Sequence, residues 1–162
     1  MAVHYYGNRP RLLPNQRYVV TVHLPGGDHV FSFTSRFDPA FCTVKSVQLE
    51  LQGVLDAPAE AIGWQIWQVS QELVRRAEQT NTPLPSPPNE VLRAACRYRV
   101  AAGLLLRALT GRVLSAGSET KRLRDLTVTL QIDRPQAEAW LSHWKALADQ
   151  YEARLFEVAS LA

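Results

Sequence analysis

A proline-rich break constrains the possible folds of this chain more than any other feature of its sequence. Residues Gln79 to Pro88 read QTNTPLPSPP, with four prolines in ten residues and no helical period. Proline lacks a backbone N–H and disfavours helical backbone in the residue before it, so a regular helix does not continue through such a segment. We therefore predict an extended connector over residues 79–88, with a helix before it and another after it.

Two helices are predicted before the connector, because apolar residues recur there at steps of three and four. Thr43 is a suitable N-cap for the first helix, whose apolar face carries Val44, Val47, Leu51, Val54 and Leu55. Pro58 suits the first turn of a second helix that runs to about Glu78. Its buried stripe is predicted to hold Ile62, Ile66, Val69 and Leu73, flanked by Trp64 and Trp67.

Two further helices are predicted after the connector. Asn89 is placed to cap a long third helix from about Glu90 to Thr110, which Gly111 should end. The residues that share its apolar face are Val91, Ala94, Tyr98, Ala101, Leu105 and Leu109. Asp133 to Gln136 reads as a capping box, with Pro135 in the first turn of a last helix that reaches about Val158. The stripe predicted for that helix consists of Trp140, Trp144, Leu147, Tyr151 and Leu155.

Two segments have the character of β-strands. Arg17–His23 and His29–Thr34 flank Pro25-Gly26-Gly27-Asp28, which predicts a hairpin whose ends bring His23 and His29 to where a cross-strand pair can form. Further along, Leu126, Val128, Leu130 and Ile132 alternate with polar residues, as in a half-buried strand or an extended arm.

The predicted fold class is therefore α+β, mainly an α-helical bundle of about four helices. An N-terminal β-hairpin and an extended strand or arm before the C-terminal helix complete it. We expect one domain over residues 1–162, in which residues 1–36 form an N-terminal arm and hairpin and residues 37–162 form the helical module.

The charge distribution indicates contact with an acidic partner. The net charge is only +3, yet no acidic residue precedes Asp28, whereas Arg9, Arg11 and Arg17 lie in that stretch. Such an arm suits an acidic surface of protein or nucleic acid, although a solvated N-terminus has the same composition. A second basic cluster, Lys121, Arg122 and Arg124, lies in the Gly- and Ser-containing segment 115–124, with Arg112 nearby.

The sequence favours binding over catalysis. Cys42 and Cys96 are far apart in apolar contexts, so we expect buried free thiols in a protein assembled inside a cell. No histidine has metal-ligand spacing, and the motifs of serine nucleophiles and nucleotide-binding loops do not occur. The start of the chain lacks a signal-peptide layout, and no apolar run approaches the ~18 residues of a membrane span. We predict a protein that is not an enzyme and uses no cofactor or metal.

Three segments resemble those of a known family. They are Glu119 to Leu130 (ETKRLRDLTVTL), the Asn89–Ala95 opening of the third helix, and Phe37-Asp38-Pro39-Ala40-Phe41 leading through Thr43 into a short helix. In this order they resemble the head–tail adaptor (connector) proteins of tailed bacteriophages, over the stretch from Phe37 to the end. Arg124 stands where those proteins commonly have a glycine before the aspartate, here Asp125.

The resemblance implies a virion protein of the neck, assembled in the host cytoplasm as a ring, commonly a dodecamer. The ring lies beneath the portal, continues the DNA channel and presents a platform to the next neck or tail protein. The segments that correspond to ring and portal contacts are 115–132 and the tail after Leu155. The residues implied for the subunit or portal interface are Lys121, Arg122, Arg124, Asp125, Leu126, Val128, Leu130, Leu155 and Phe156.

DNA is expected to pass through such a ring without tight binding, and a modest net charge suits that role. The candidates for channel or acidic-partner contacts are Arg9, Arg11, Arg17 and Arg112. We expect no membrane contact. Two alternatives stay open: another neck or tail-completion protein, such as a stopper or terminator, and a small nucleic-acid-binding regulator that uses the basic arm and residues 121–124.

Overall fold

A computed structural model describes residues 17–35, 38–114 and 128–157, with only the backbone of residues 111–114. The elements in chain order are β1 (Arg17–Leu24), β2 (Gly27–Thr34), α1 (Val44–Leu51), β3 (Leu55–Asp56), α2 (Ala59–Thr80), α3 (Glu90–Leu114), β4 (Thr129–Leu130) and α4 (Arg134–Glu157). This part of the chain confirms the predicted α+β class, with four helices, the N-terminal hairpin and a second small sheet.

The predicted helix starts are confirmed by side chains that satisfy free backbone N–H groups. The Thr43 hydroxyl accepts from the Ser46 N–H at 3.2 Å, and the Asn89 side-chain oxygen accepts from the Leu92 N–H at 2.9 Å. The Asp133 carboxylate likewise accepts from the Gln136 N–H at 2.9 Å. Pro58 directly precedes α2, where a missing N–H has no consequence.

The connector between α2 and α3 is confirmed, while the end predicted for α3 is wrong. Asn81 adopts a left-handed backbone (φ 52°) and closes α2, and residues 81–89 carry no helix. At its other end α3 continues through Gly111 to Leu114. A glycine inside a helix costs only about 1 kcal/mol, and the well-packed turns before Gly111 offset such a cost.

The core lies around α3, which packs against α1, α2 and α4. The four residues predicted for the buried stripe of α2 are all buried. The buried face of α3 is wider than predicted and includes Leu92, Cys96, Val100 and Leu104, because helices cover this element on three sides.

The buried face of α4 is rotated relative to the prediction. Its buried residues are Ala137, Trp144, Ala148, Glu152 and Phe156, so of the predicted stripe Trp144 alone is fully buried and Trp140 is 38% exposed. Ala137 and Ala148 let α4 approach its neighbours closely. The predicted stripe contained only large apolar residues and therefore lacked these alanines.

The segment before α4 packs on the body of the chain. Thr129 and Leu130 pair antiparallel with Asp56 and Leu55, and the Gln131 N–H donates to the Val54 carbonyl at 3.0 Å. Val128 and Ile132 are partly buried against the core. The predicted alternation is therefore confirmed for residues 128–132, where the apolar side chains face inward, and Leu126 lies outside the described residues.

Among the described helices, none is both long and apolar enough to cross a lipid bilayer.

Candidate interaction surface

The hairpin pairs in one continuous antiparallel register, from Arg17 opposite Thr34 to Leu24 opposite Gly27. Pro25 and Gly26 form a two-residue turn, and Gly27 has φ 125°, a conformation that side-chain-bearing residues rarely adopt. The predicted hairpin is confirmed.

The predicted pairing of His23 with His29 is wrong. The register places His23 opposite Asp28, with Nδ1 and the carboxylate oxygen 2.8 Å apart, and it places His29 opposite Val22. Since successive side chains of a strand point to opposite faces, the two histidines lie on different faces of the hairpin.

This register divides the side chains into an apolar and a polar face, because directly paired residues lie on the same face. The face that we call the apolar face consists of Tyr18, Val20, Val22, Leu24, Phe31 and Phe33, together with His29 opposite Val22. The opposite, polar face carries Arg17, Thr21, His23, Asp28, Ser32 and Thr34, together with Val19 and Val30. On it the Arg17 guanidinium donates to the Ser32 hydroxyl at 3.3 Å.

The apolar face is open to solvent along most of its length. Phe31 is 51% exposed and Phe33 is 38% exposed, and Val22 and Leu24 are similarly open. The Tyr18 and Phe33 rings stack across the strands with centroids 5.5 Å apart, which gives this face an aromatic end. Contiguous exposed apolar surface of this kind marks sites of interaction with other macromolecules.

The edges of the hairpin are a second feature of this surface. Over the described ranges the sheet contains β1 and β2 and no third strand. The outward backbone N–H and C=O groups of both strands therefore lack a neighbouring strand there, which is the arrangement that accepts an added strand from a partner. A two-stranded hairpin is also marginally stable in water without further packing.

The residues that the resemblance implied for the interface are not all on the surface. Leu130 is buried beside Leu55, and Val128 and Leu155 are partly buried against the core. Phe156 is buried beneath the Arg76 guanidinium, whose central carbon lies 4.6 Å from the ring centroid. These four residues thus contribute to the chain's own packing, while Lys121, Arg122, Arg124, Asp125 and Leu126 lie outside the described residues.

Of the residues predicted for channel or acidic-partner contacts, the structure describes the side chain of Arg17 alone. Arg17 is exposed on the polar face of the hairpin. Arg112 lies in the last turn of α3, where the structure describes only the backbone. Arg9 and Arg11 fall outside the described ranges.

Arginines of the helical body are held by carboxylates of the same chain. Glu152 accepts from Arg76 and from Arg99, each at 2.7 Å, and Arg99 also donates to Asp149 at 2.7 Å. The hydrogen bond to Glu152 raises the pKa of Arg99, with a further contribution from Asp149, so the guanidinium stays charged. The sequence reading missed this cluster, although Glu152 falls in step with Trp144, Ala148 and Phe156 on α4.

Residues with catalytic or ligand-binding chemistry do not converge in the described part of the chain. No group of three or more His, Cys, Asp or Glu residues within it is arranged to hold a metal ion. A surface cleft of about 350 Å³ runs beside α2 and α3, lined in part by Gln65, Arg99 and Leu106. Two of its polar residues are engaged by other side chains, since Gln65 accepts from Arg107 and Arg99 pairs with Glu152.

No protein-family model, curated protein or solved structure matches the chain. The apolar face and the edges of the hairpin are thus the features from which its function can be argued.

Proposed function

We propose that the chain is a virion structural protein, a head–tail adaptor that forms a ring between the portal and the neck or tail and continues the DNA channel. The observation that carries this proposal is the exposed apolar face of the hairpin. The resemblance over residues 37–162 suggests which assembly the chain joins. The hairpin provides a surface by which it could bind there.

The apolar face provides a driving force for association. Burying one Phe or Val side chain contributes about 1.5–3 kcal/mol, so covering several residues of this face stabilises a complex substantially. The same contact stabilises a hairpin that is marginal by itself. Protein chains, rather than small molecules, fit an extended face of this kind.

A ring also requires a second surface that differs from the first, because subunits in a ring meet head to tail. The helical body offers exposed apolar side chains for this purpose: Leu49 on α1, Leu106 on α3 and Trp140 on α4. If the hairpin of one subunit packs on the helical body of the next, the apolar face of the hairpin and the exposed apolar side chains of the body are buried together.

The charges of the body fit a conduit better than a tight DNA binder. Arg76 and Arg99 form ion pairs with Glu152, and Arg97 lies 3.9 Å from Glu50 and from Glu90. Arginines that neutralise carboxylates of their own chain contribute little to phosphate binding. This weighs against DNA binding by these body arginines, whereas the regulator would use the basic arm and residues 121–124.

The direct test is the mass and symmetry of the full-length protein, alone and mixed with the portal protein of the same virus. We expect a closed ring on the portal, seen by analytical ultracentrifugation and by negative-stain imaging. A chain that stays monomeric and never joins a portal or neck complex would exclude the adaptor. A ring that binds only the downstream neck protein would identify a stopper or terminator instead.

The role of the apolar face is tested with a matched pair of double variants. Phe31→Ser with Phe33→Ser should abolish ring formation, while Val19→Ser with Val30→Ser removes exposed apolar residues from the polar face and should leave it intact. Circular dichroism should show unchanged helix content in both. Equal loss of assembly in the two variants would contradict a specific role of the apolar face.

Nucleic-acid binding is tested separately by titrating duplex DNA at low and high salt. The adaptor should bind weakly and without sequence preference. Tight binding to one defined sequence without any assembly would favour the regulator.

A further inference from the structure

The two cysteines of the chain meet in the folded structure. Cys42 lies in the segment between β2 and α1, directly before the Thr43 cap, and Cys96 lies within α3. Although 54 positions separate them in the sequence, their Sγ atoms are 3.3 Å apart. Cys42 is a partly exposed residue and Cys96 is fully buried, so Cys42 is the more accessible of the two.

Neighbouring contacts hold the segment that carries Cys42 against the helices. The Phe41 N–H donates to the Ser70 hydroxyl at 3.2 Å, and Ser70 in turn lies 3.7 Å from the Cys96 sulfur. The Gln71 side chain donates to the Asp38 carbonyl at 3.4 Å. Since a disulfide bond is about 2.05 Å long, the two sulfurs need to approach by only about 1.2 Å to bond.

We propose that Cys42 and Cys96 form a redox-sensitive modification site, at which a peroxide converts the two thiols into an intramolecular disulfide. The basis is the direct contact of the sulfurs, the access to one of them and the fixed segment around it. This inference goes beyond the proposed assembly role and does not depend on it.

The hydrogen bond between the thiols gives the two sulfurs different roles. The Cys42 S–H donates to the Cys96 sulfur, which raises the pKa of Cys42, and burial raises it further. The same hydrogen bond lowers the pKa of Cys96, against an opposing effect of its burial. Cys42 is the more exposed of the two residues, so we expect an oxidant to meet it first, and Cys96 lies in direct contact with it, positioned to close the disulfide.

The reaction takes place in two balanced steps. The Cys42 sulfur attacks a peroxide oxygen, the O–O bond breaks, and one water leaves with the thiol proton, giving a sulfenic acid. The Cys96 sulfur then attacks the Cys42 sulfur, the S–S bond forms, and the S–O bond breaks as the hydroxyl takes up the Cys96 thiol proton and leaves as a second water. Both sulfurs are oxidised and the peroxide is reduced. Because the raised pKa of Cys42 limits its thiolate, the first step should be slow at neutral pH and faster at higher pH.

The disulfide would tie the segment that follows the hairpin to the central helix of the core. It would close a loop of more than fifty residues, which restricts the unfolded chain. We expect oxidation to raise the thermal midpoint by roughly 5–15 °C. Exchange of the backbone amides of residues 40–43 should also slow down.

The experiment treats the purified full-length protein with one equivalent of hydrogen peroxide at two pH values. We expect the intact mass to fall by two hydrogen atoms and both thiols to disappear in a thiol titration under denaturing conditions. A non-reducing peptide map should join the peptides of Cys42 and Cys96, and dithiothreitol should reverse the change. Cys42→Ser and Cys96→Ser should each prevent the cross-link and the rise in the thermal midpoint.

Three results would overturn the proposal. Both thiols could remain titratable after peroxide, Cys42 could gain oxygen without any cross-link, or the disulfide could join two chains through Cys42. If Cys96→Ser does not fold, Cys42→Ser alone provides the control, because its side chain lies at the edge of the core.

Discussion

At the scale of single residues, Glu152 shows how a buried charge holds this fold together. Glu152 is only 5% exposed, and the arginines that pair with it come from two other helices, Arg76 from α2 and Arg99 from α3. A buried carboxylate is costly unless it is paired and hydrogen-bonded, and here both oxygens accept from a guanidinium. One side chain of α4 thereby links three helices.

We predict that Glu152→Gln lowers the free energy of unfolding by about 1–3 kcal/mol, because the amide keeps one acceptor oxygen but turns its NH2 group toward the second guanidinium, and the buried negative charge is lost. The value stays below that of a fully buried pair, since both arginines are partly exposed. Glu138→Gln, which breaks the exposed pair with Arg134, should cost under about 0.5 kcal/mol. Urea denaturation measures the free energy of unfolding of both variants. Equal losses of stability in the two would contradict the role of burial.

Two tryptophans of α4 provide a second comparison at this scale. Trp144 is fully buried and its indole N–H donates to Glu50 at 3.0 Å, whereas Trp140 is substantially exposed. We predict that Trp144→Phe costs about 1–3 kcal/mol, from lost packing and the lost hydrogen bond to Glu50, and that Trp140→Phe costs under about 0.5 kcal/mol. Urea titration, monitored by circular dichroism, measures the stability of both variants. A larger loss for Trp140→Phe would show that the face of α4 is placed incorrectly.

At the scale of elements, the hairpin depends on one unusual backbone conformation. Gly27 begins β2 with φ 125°, while Gly26 in the turn has no positive φ. An added Cβ would meet no atom within 4 Å at either position, so crowding does not distinguish them. An alanine at position 27 would therefore differ from one at position 26 in the backbone strain that the positive φ imposes.

We predict that Gly27→Ala destabilises the hairpin by about 1–3 kcal/mol, while Gly26→Ala has little effect on it. Hydrogen exchange of the β1 and β2 amides should speed up in the first variant alone, with the helical amides unchanged. If exchange in the two variants is the same, the positive φ at Gly27 does not control the turn.

At the scale of the whole molecule, the hairpin and the helical body serve different purposes. The core cluster and the apolar residues packed against it begin at Ala40 and include no residue of β1 or β2. Among the described residues, the body thus holds its own core, and the apolar face of the hairpin stays outside that core.

We predict that a chain lacking residues 1–36 still unfolds cooperatively, with a thermal midpoint within about 5 °C of the full-length protein, and no longer assembles. Thermal circular dichroism and sedimentation velocity check the two parts of this prediction. Unfolding of the truncated chain would show that the hairpin belongs to the core, and intact assembly would show that the ring does not require it.

Features that depend on residues close together in the chain could be predicted from the sequence. The caps at Thr43, Asn89 and Asp133, the Pro-Gly-Gly turn and the proline-rich connector act on backbone groups a few positions away, so their chemistry can be read locally. The α+β class and the stripe of α2 followed from periodicity for the same reason.

The tertiary structure alone decided what depends on distant residues. The continuation of α3 past Gly111, the rotated face of α4, the burial of Glu152 and the contact of Cys42 with Cys96 all arise from packing between helices. The two faces of the hairpin needed the exact register, because a shift of one residue exchanges them. The neighbours of a side chain depend on how the helices and strands pack in space. The spacing of residues along the chain does not specify that packing.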